Sequence, residues 1–408
     1  MLSSCRTPLA ALSLLLLTAT AHAQTLDGAA FARSLEALYQ ASGYQLRLGA
    51  QAVEGDTITV QGFKISLPDV PEFSKGLAIN TPLVFEGVSQ DAEGVYTARS
   101  MAMGSFTLSP SDSVTVTVDG ATLEGLRVPS GEISIEDTVR ALGSARIGPI
   151  STMMDGKEVL GIQAITTTAQ FGPGPGLTEV TGTAGVEGIS IDLSGIKDAD
   201  LRQATDFLGI QTLTGSFAQD VRWNLETGQL VVDKMLTEID QLGSLDLRFD
   251  LGGYTMGFIE QLQASQEDVS ALMAQGKDDE AETAQAKVGV LALAQLSVNS
   301  ADIRYEDNAF VGPLLDLMAE RSGTTRAAII ANSRQSLEAL MAYPGFESLA
   351  ERVLEAVDVF LADPKSFEIG LKPAQALKFM DFAAAGAAPG LLLDGLGITV
   401  AANASRSP

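Results

Sequence analysis

The chain has almost no thiol and almost no imidazole. Its 408 residues include one Cys and one His, namely Cys5 and His22, and both fall within the first 23 positions. If those positions are a removable leader, the remaining chain carries neither group. That excludes a Ser-His-Asp triad, a cysteine nucleophile, disulfides, and zinc, haem or iron–sulfur centres built on Cys or His. Aromatic residues are 6% of the chain and Trp223 is the single tryptophan, which argues against the aromatic platforms of a sugar site. Basic residues are also scarce, 26 against 51 acidic ones, for a net charge of −25. Such a surface repels phosphates, so no nucleic-acid partner is expected.

The first 23 residues have the three parts of a secretory signal. Arg6 gives the positive start, Leu9 to Thr18 a short apolar core, and Ala21-His22-Ala23 a small-x-small site with cleavage before Gln24. The core is shorter than the roughly 20 apolar residues of a membrane span. Cys5 precedes the apolar core instead of following it, so it does not sit where a lipid-bearing Cys would. The expectation is a periplasmic protein, exported through a cleavable signal peptide, with no integral membrane span after cleavage. An exported chain of this size can stabilise itself by burial without disulfides.

Residues 24–254 read as a β-rich region with an N-terminal helix. Asp27 can cap that helix, Phe31, Leu35 and Leu38 recur at helical spacing, and Gly43 can end it. Beyond it the apolar period becomes two. Val114, Val116 and Val118 alternate with Thr115 and Thr117. Ile189, Ile191 and Leu193, then Val221, Trp223 and Leu225, then Leu245, Leu247, Phe249 and Leu251 follow the same rule. One apolar and one polar face per strand is the pattern of antiparallel sheet. In Thr57–Ser66 the phase slips across Gly62, which predicts a bulge there. Residues 255–288 read as an acidic helical insertion, with Asp278-Asp279-Glu280 as its charge run. Residues 289–408 read as an α+β region that completes the sheet. Strand character is expected from Val288 to Asp307. Helices follow, one capped by Thr324 or Thr325 and one carrying Leu349, Val353, Val357 and Phe360. Closing strands lie around Phe367–Leu371 and Leu396–Val400. The fold class is therefore α+β: a large, mostly antiparallel twisted sheet with a C-terminal helical cluster packed on one side. Phe382–Leu393 is uncharged but broken by Pro389, and reads as a buried turn or a groove rim.

A loose phrase recurs, a Gly leading an amphipathic strand: Gly188-Ile-Ser-Ile-Asp-Leu-Ser, Gly243-Ser-Leu-Asp-Leu-Arg-Phe and Gly397-Ile-Thr-Val-Ala-Ala-Asn. At these phrases, and over Ala301–Gly323, the chain resembles exported bacterial β-rich proteins of unknown function. More distantly it is similar to AsmA-like envelope proteins. That resemblance implies long sheets presenting an apolar groove that serves lipids. AsmA-like proteins usually keep an N-terminal anchor, whereas this leader reads as cleavable. The resemblance brings no catalytic residue with it.

Candidate chemistry is thin. Ser194-Gly-Ile-Lys197 fits the Ser-x-x-Lys pattern of serine acyl-enzymes, but Lys-Thr-Gly and Ser-Asp-Asn partners are missing, and chance alone gives about one such match in a chain of this length. Asp198-Ala-Asp200 and Asp278–Glu280 lack the spacing of a calcium loop, and the first reads as a helix cap. Trp223 reads as core. Asn403-Ala404-Ser405 fits the glycosylation sequon only as a chance match. No catalytic, cofactor-binding or metal residue is assigned, and no cofactor is expected. The expectation is a non-enzymatic protein that binds an apolar, lipid-like ligand or an envelope partner. The alternatives are a carboxylate-based envelope hydrolase and a scaffold using the acidic helical segment.

Overall fold

The computed structural model describes residues 26–67, 76–173, 176–342, 346–384 and 395–405. The leader lies outside the described residues, as does most of Phe382–Leu393.

The chain opens with helix α1 (Gly28–Ala41), whose first amides are capped by the Asp27 carboxylate at 2.9 Å from Ala29 N and Ala30 N. Strands β1 (Gln45–Leu48), β2 (Gln51–Glu54), β3 (Thr57–Val60), β4 (Phe63–Ser66), β5 (Leu77–Ile79) and β6 (Leu83–Glu86) follow. β1, β4 and β5 form a small antiparallel sheet of their own, whereas β2, β3 and β6 begin the large one. The phase slip across Gly62 is thus not a bulge. Gly62 adopts φ +74° and the chain leaves one sheet for the other there. Ile58 and Val60 face the core of the large sheet, and Phe63 and Ile65 pack from the small one.

The large sheet continues through β7 (Ser89–Gln90), β8 (Tyr96–Met103), β9 (Phe106–Ser111), β10 (Val114–Val118) and β11 (Ala121–Val128). After the short helix α2 (Ile135–Val139) come β12 (Ser144–Ile147), β13 (Ile150–Met154), β14 (Lys157–Ile162), β15 (Ala164–Phe171) and β16 (Glu179–Asp192). Helix α3 (Ala199–Leu208) then precedes β17 (Thr212–Asn224), β18 (Gln229–Ile239) and β19 (Gly243–Gly252). Asp198 caps α3, accepting from Leu201 N at 2.9 Å, so the Asp198-Ala-Asp200 pair is a helix start as expected. A helical hairpin, α4 (Met256–Ala274) and α5 (Asp278–Gln295), leads to β20 (Ser297–Asp307). The expected strand over Val288–Gln295 is therefore helix. Val288 is buried, as are Ala281 and Val269, and these small residues join the two helices of the hairpin. Three helices, α6 (Val311–Arg321), α7 (Arg326–Met341) and α8 (Glu347–Ala362), are followed by β21 (Ser366–Leu371), β22 (Leu377–Lys378), α9 (Phe379–Ala384) and β23 (Ile398–Ala402). Thr325 is the residue that caps α7.

Traced register by register, the large sheet is one antiparallel meander: β2–β3–β6–β8–β11–β12–β15–β16–β17–β18–β19–β20–β21–β23. β9, β10, β13 and β14 prolong β8, β11, β12 and β15 beyond bends. Among the described residues no ladder joins β23 back to β2, so the meander is open. Its edges are two short strands, which limits unwanted edge pairing. The recurring Gly-led phrase has a steric cause. Gly243 and Gly397 adopt φ +129° and +58°, and a Cβ on either would stand 2.1 or 2.2 Å from a neighbouring carbonyl oxygen.

Candidate functional site

Antiparallel partners point their side chains to the same face, so the registers define continuous rows across the sheet. One row runs Val60–Leu83–Met103–Ala121–Ile147–Ile165–Val186–Phe217–Thr237–Leu245–Tyr305–Phe367–Ala402. Thr237 alone breaks its apolar character. The next row begins Ile58–Phe85–Met101–Leu123–Ala145 and ends Met235–Leu247–Ile303–Ile369–Val400. Between those ends the second row passes through Thr167, Ala184 and Gln219, so only the first row is apolar, Thr237 aside, all the way from β3 to β23.

Its two ends are covered differently. At the start, α1 lies on it. Phe31 is fully buried, with its ring 5.0 Å from Phe85 and 5.5 Å from Tyr96, edge to face. Ile58, Val60 and Phe85 beneath are 0–1% exposed. At the far end the helices hold only the strand termini. Phe360 of α8 stacks on Tyr305 and Phe367, at 6.1 and 5.6 Å. Near the opposite ends of β17–β19, Tyr254 stacks with Trp223 on one side and Phe258 on the other, and the Trp223 indole donates to Tyr254 O at 2.7 Å. Trp223 is thus packing, as its alternation implied. Ile303 and Ile369, cross-strand partners in mid-strand, and Leu245, near the start of β19 in the adjacent row, are 47%, 44% and 40% exposed on the apolar face. Single exposed aliphatics are ordinary, but cross-strand neighbours exposed together form a patch.

The opposite face is ionic. Arg222 donates to both carboxylate oxygens of Asp233, at 2.6 and 2.8 Å. Arg304, 5% exposed, donates to Glu306 at 2.8 Å, to Glu368 at 2.6 Å and to Ala404 O at 3.0 Å. Burial works against the Arg304 charge, yet the two carboxylates outweigh it and the guanidinium is held above its ordinary pKa. This face holds the registers together and has no open apolar ground.

The other candidates resolve as structure. Ser194 is met by Lys157, not Lys197. Asp192 stands 2.5 Å from the same ammonium. Hydrogen bonds from Lys157, then from the Ser194 amide and hydroxyl, hold the Asp192 carboxyl down to about 2. Lys157 thus donates to Ser194 and pairs with Asp192, the geometry of a structural tie between β14 and the end of β16. Asn403 is also committed. Its Oδ1 accepts from Lys365 N and Ser366 N at 3.2 and 3.1 Å, and its Nδ2 donates to Asp363 O at 2.8 Å, so the sequon amide is spent. A cleft of about 860 Å³ between α7 and α8 is lined by Glu338, Glu347, Glu351, Glu355 and Asp358, with Arg334 paired to Asp358. Its acids recur every three or four residues along α8, the spacing of one helix face, and among the described residues its lining contains no aromatic ring. Among the described residues no group of three or more acidic, His or Cys side chains is arranged to hold a metal. No described helix is long and apolar enough to cross a membrane.

Fold and site together define an α+β protein built on an antiparallel meander with an apolar patch that the other described residues leave exposed. Residues 237–403 match a family model described as an uncharacterized protein. That match begins in β18 and takes in the patch and the helices around it. Comparison with curated proteins gives no match.

Proposed function

We propose that the protein is an exported, non-enzymatic binding protein for an apolar, lipid-like molecule, which lies across β19, β20 and β21 between the helical supports. The exposure of Leu245, Ile303 and Ile369 on the apolar face carries this reading. Covering half of each such side chain is worth about 1 kcal/mol, so three neighbours favour an elongated apolar ligand over water. The likeness to AsmA-like envelope proteins and the secretory character of Met1–Ala23 support it. The test is organic extraction of the protein purified from its native host, followed by mass spectrometry. A stoichiometric lipid is the expected result, and protein free of any apolar molecule would overturn the reading.

The acids of the α7–α8 cleft favour a second reading, a carboxylate-based hydrolase of the envelope. Glycosidic work needs two carboxyls at a set separation with opposed protonation states. Cell-wall and oligosaccharide hydrolysis measured for the parent chain and for Glu351→Gln decides it. Activity that vanishes in the variant supports this reading, and an inactive parent chain removes it.

A further inference from the structure

We propose a second site, far from the patch in strand order, an oxyanion-binding cavity of about 520 Å³ beside β8 and β11. Three of the chain's few basic residues, Arg99, Arg127 and Arg140, line it together with Thr97 and Phe171, and among the described residues no carboxylate is in its lining. That is unusual ground in a chain with 51 acidic residues.

The three guanidinia reach the cavity from separate elements. Thr97 and Arg127 are cross-strand partners of β8 and β11. Arg140 follows α2, and Phe171 closes β15. Two arginines are anchored from behind. Arg127 Nη1 donates to Asp137 at 2.7 Å, and Asp137 is itself locked into the Ser134 capping box. Burial would raise the Asp137 carboxyl, but hydrogen bonds from Ser134 and Arg127 prevail and lower it, so Asp137 stays charged and Arg127 stays in place. Arg140 Nε lies 3.2 Å from Glu136, yet that nitrogen is buried with no hydrogen-bond acceptor. Arg99 has only a distant partner, Glu86 at 3.7 Å, and lies over Gly87. A Cβ at Gly87 would stand 3.4 and 3.5 Å from the Arg99 guanidinium carbon and Nη1, and φ there is +63°.

Each guanidinium has five N–H donors in a planar fork, and most of these are not used by the anchoring carboxylates. Converging forks match the oxygens of a phosphate or carboxylate, with bidentate bonds stronger than neutral ones. The Phe171 ring offers an apolar wall to whatever carries the anion. The ligand class is therefore a phosphate- or carboxylate-bearing small molecule, either free or as a lipid headgroup.

The experiment uses the mature chain and inorganic phosphate, followed by calorimetry and by phosphorus NMR, with chloride as the competing ion. Saturable binding is expected, weakened at least tenfold in Arg99→Gln, with that variant melting like the parent. A second arm sediments the protein with vesicles of phosphatidylcholine alone or with added phosphatidylglycerol. Phosphate binding without sedimentation assigns a free oxyanion, and sedimentation only with phosphatidylglycerol, lost in Arg99→Gln, assigns a headgroup. Absence of both, or binding that Arg99→Gln leaves unchanged, overturns the site. The apolar patch of β19, β20 and β21 stands or falls separately, by its own extraction.

Discussion

At the scale of the residue, side chains of the same chemistry do different work according to what covers them. Ile58 and Ile303 occupy the same row, yet one is 0% and the other 47% exposed. Ile58→Ala should cost about 2–5 kcal/mol, the range of a buried aliphatic truncated in a core that cannot collapse around it. Ile303→Ser should cost no more than about 1 kcal/mol, because little packing is lost, while the binding of an apolar probe falls. Urea unfolding of both variants, with probe titration of the second, checks the contrast. A large stability loss in Ile303→Ser would show a structural and not a ligand-facing side chain. The Asp192–Lys157–Ser194 cluster makes a second prediction at this scale. The Asp192 carboxyl should titrate near 2 by carbon NMR, against about 3.9 for a free Asp. Its folded value lies below its unfolded one, so its stabilising effect is present above about 3.9 and is lost as pH falls through about 2. Lys157→Met should move the midpoint back toward the ordinary range.

At the scale of the element, much of the sheet was legible because alternation survives in one sequence. Leu245, Leu247, Phe249 and Leu251 give β19, and Val221 and Trp223 give β17 with its face. Asp198 and Thr325 were readable as caps because their side chains serve amides two or three residues on. Val288–Gln295 misled, since small and branched apolar residues fit either period, and packing of α5 against α4 decides for helix. Gly62 misled because a change of phase looks the same whether the strand bulges or changes sheet. The apolar patch was not legible. Leu245, Ile303 and Ile369 lie far apart in the chain, and only the placement of α4 and α8 leaves them open. The three arginines of the oxyanion cavity were hidden in the same way, scattered over β8, β11 and the residue after α2. The hairpin α4–α5 carries its own small core of Val269, Ala281 and Val288, so its outer part should be dispensable. Replacing residues 265–287 with a short Gly-Ser turn should leave the far-ultraviolet strand signal intact and the Tm within a few degrees of the parent. Loss of cooperative melting would mean that the hairpin supports the sheet. An unchanged pull-down profile would dispose of the scaffold reading of this acidic segment.

At the scale of the whole molecule, charge and apolarity are segregated on two faces, and that separation makes a test. The net charge of −25 disfavours anionic lipid surfaces at low salt, but screening removes most of that repulsion as the Debye length shrinks from about 10 Å at 0.1 M to about 3 Å at 1 M. Attraction between an apolar ligand and Leu245, Ile303 and Ile369 has no such dependence. A neutral naphthylamine probe should therefore bind with nearly the same Kd between about 0.1 and about 1 M salt, by the same screening argument. Its binding should show a negative heat-capacity change, the mark of apolar burial. Phosphate at the arginine cavity should respond in the opposite way and weaken steeply over that interval. The two sites lie on distant strands, β8 and β11 against β19, β20 and β21, so saturation with phosphate should leave probe affinity unchanged. Calorimetry of each alone and of both together checks this. Probe binding that weakens with salt in parallel with phosphate would mean that both ligands share the arginine cavity, and the exposed rows of β19, β20 and β21 would then have no ligand assigned to them.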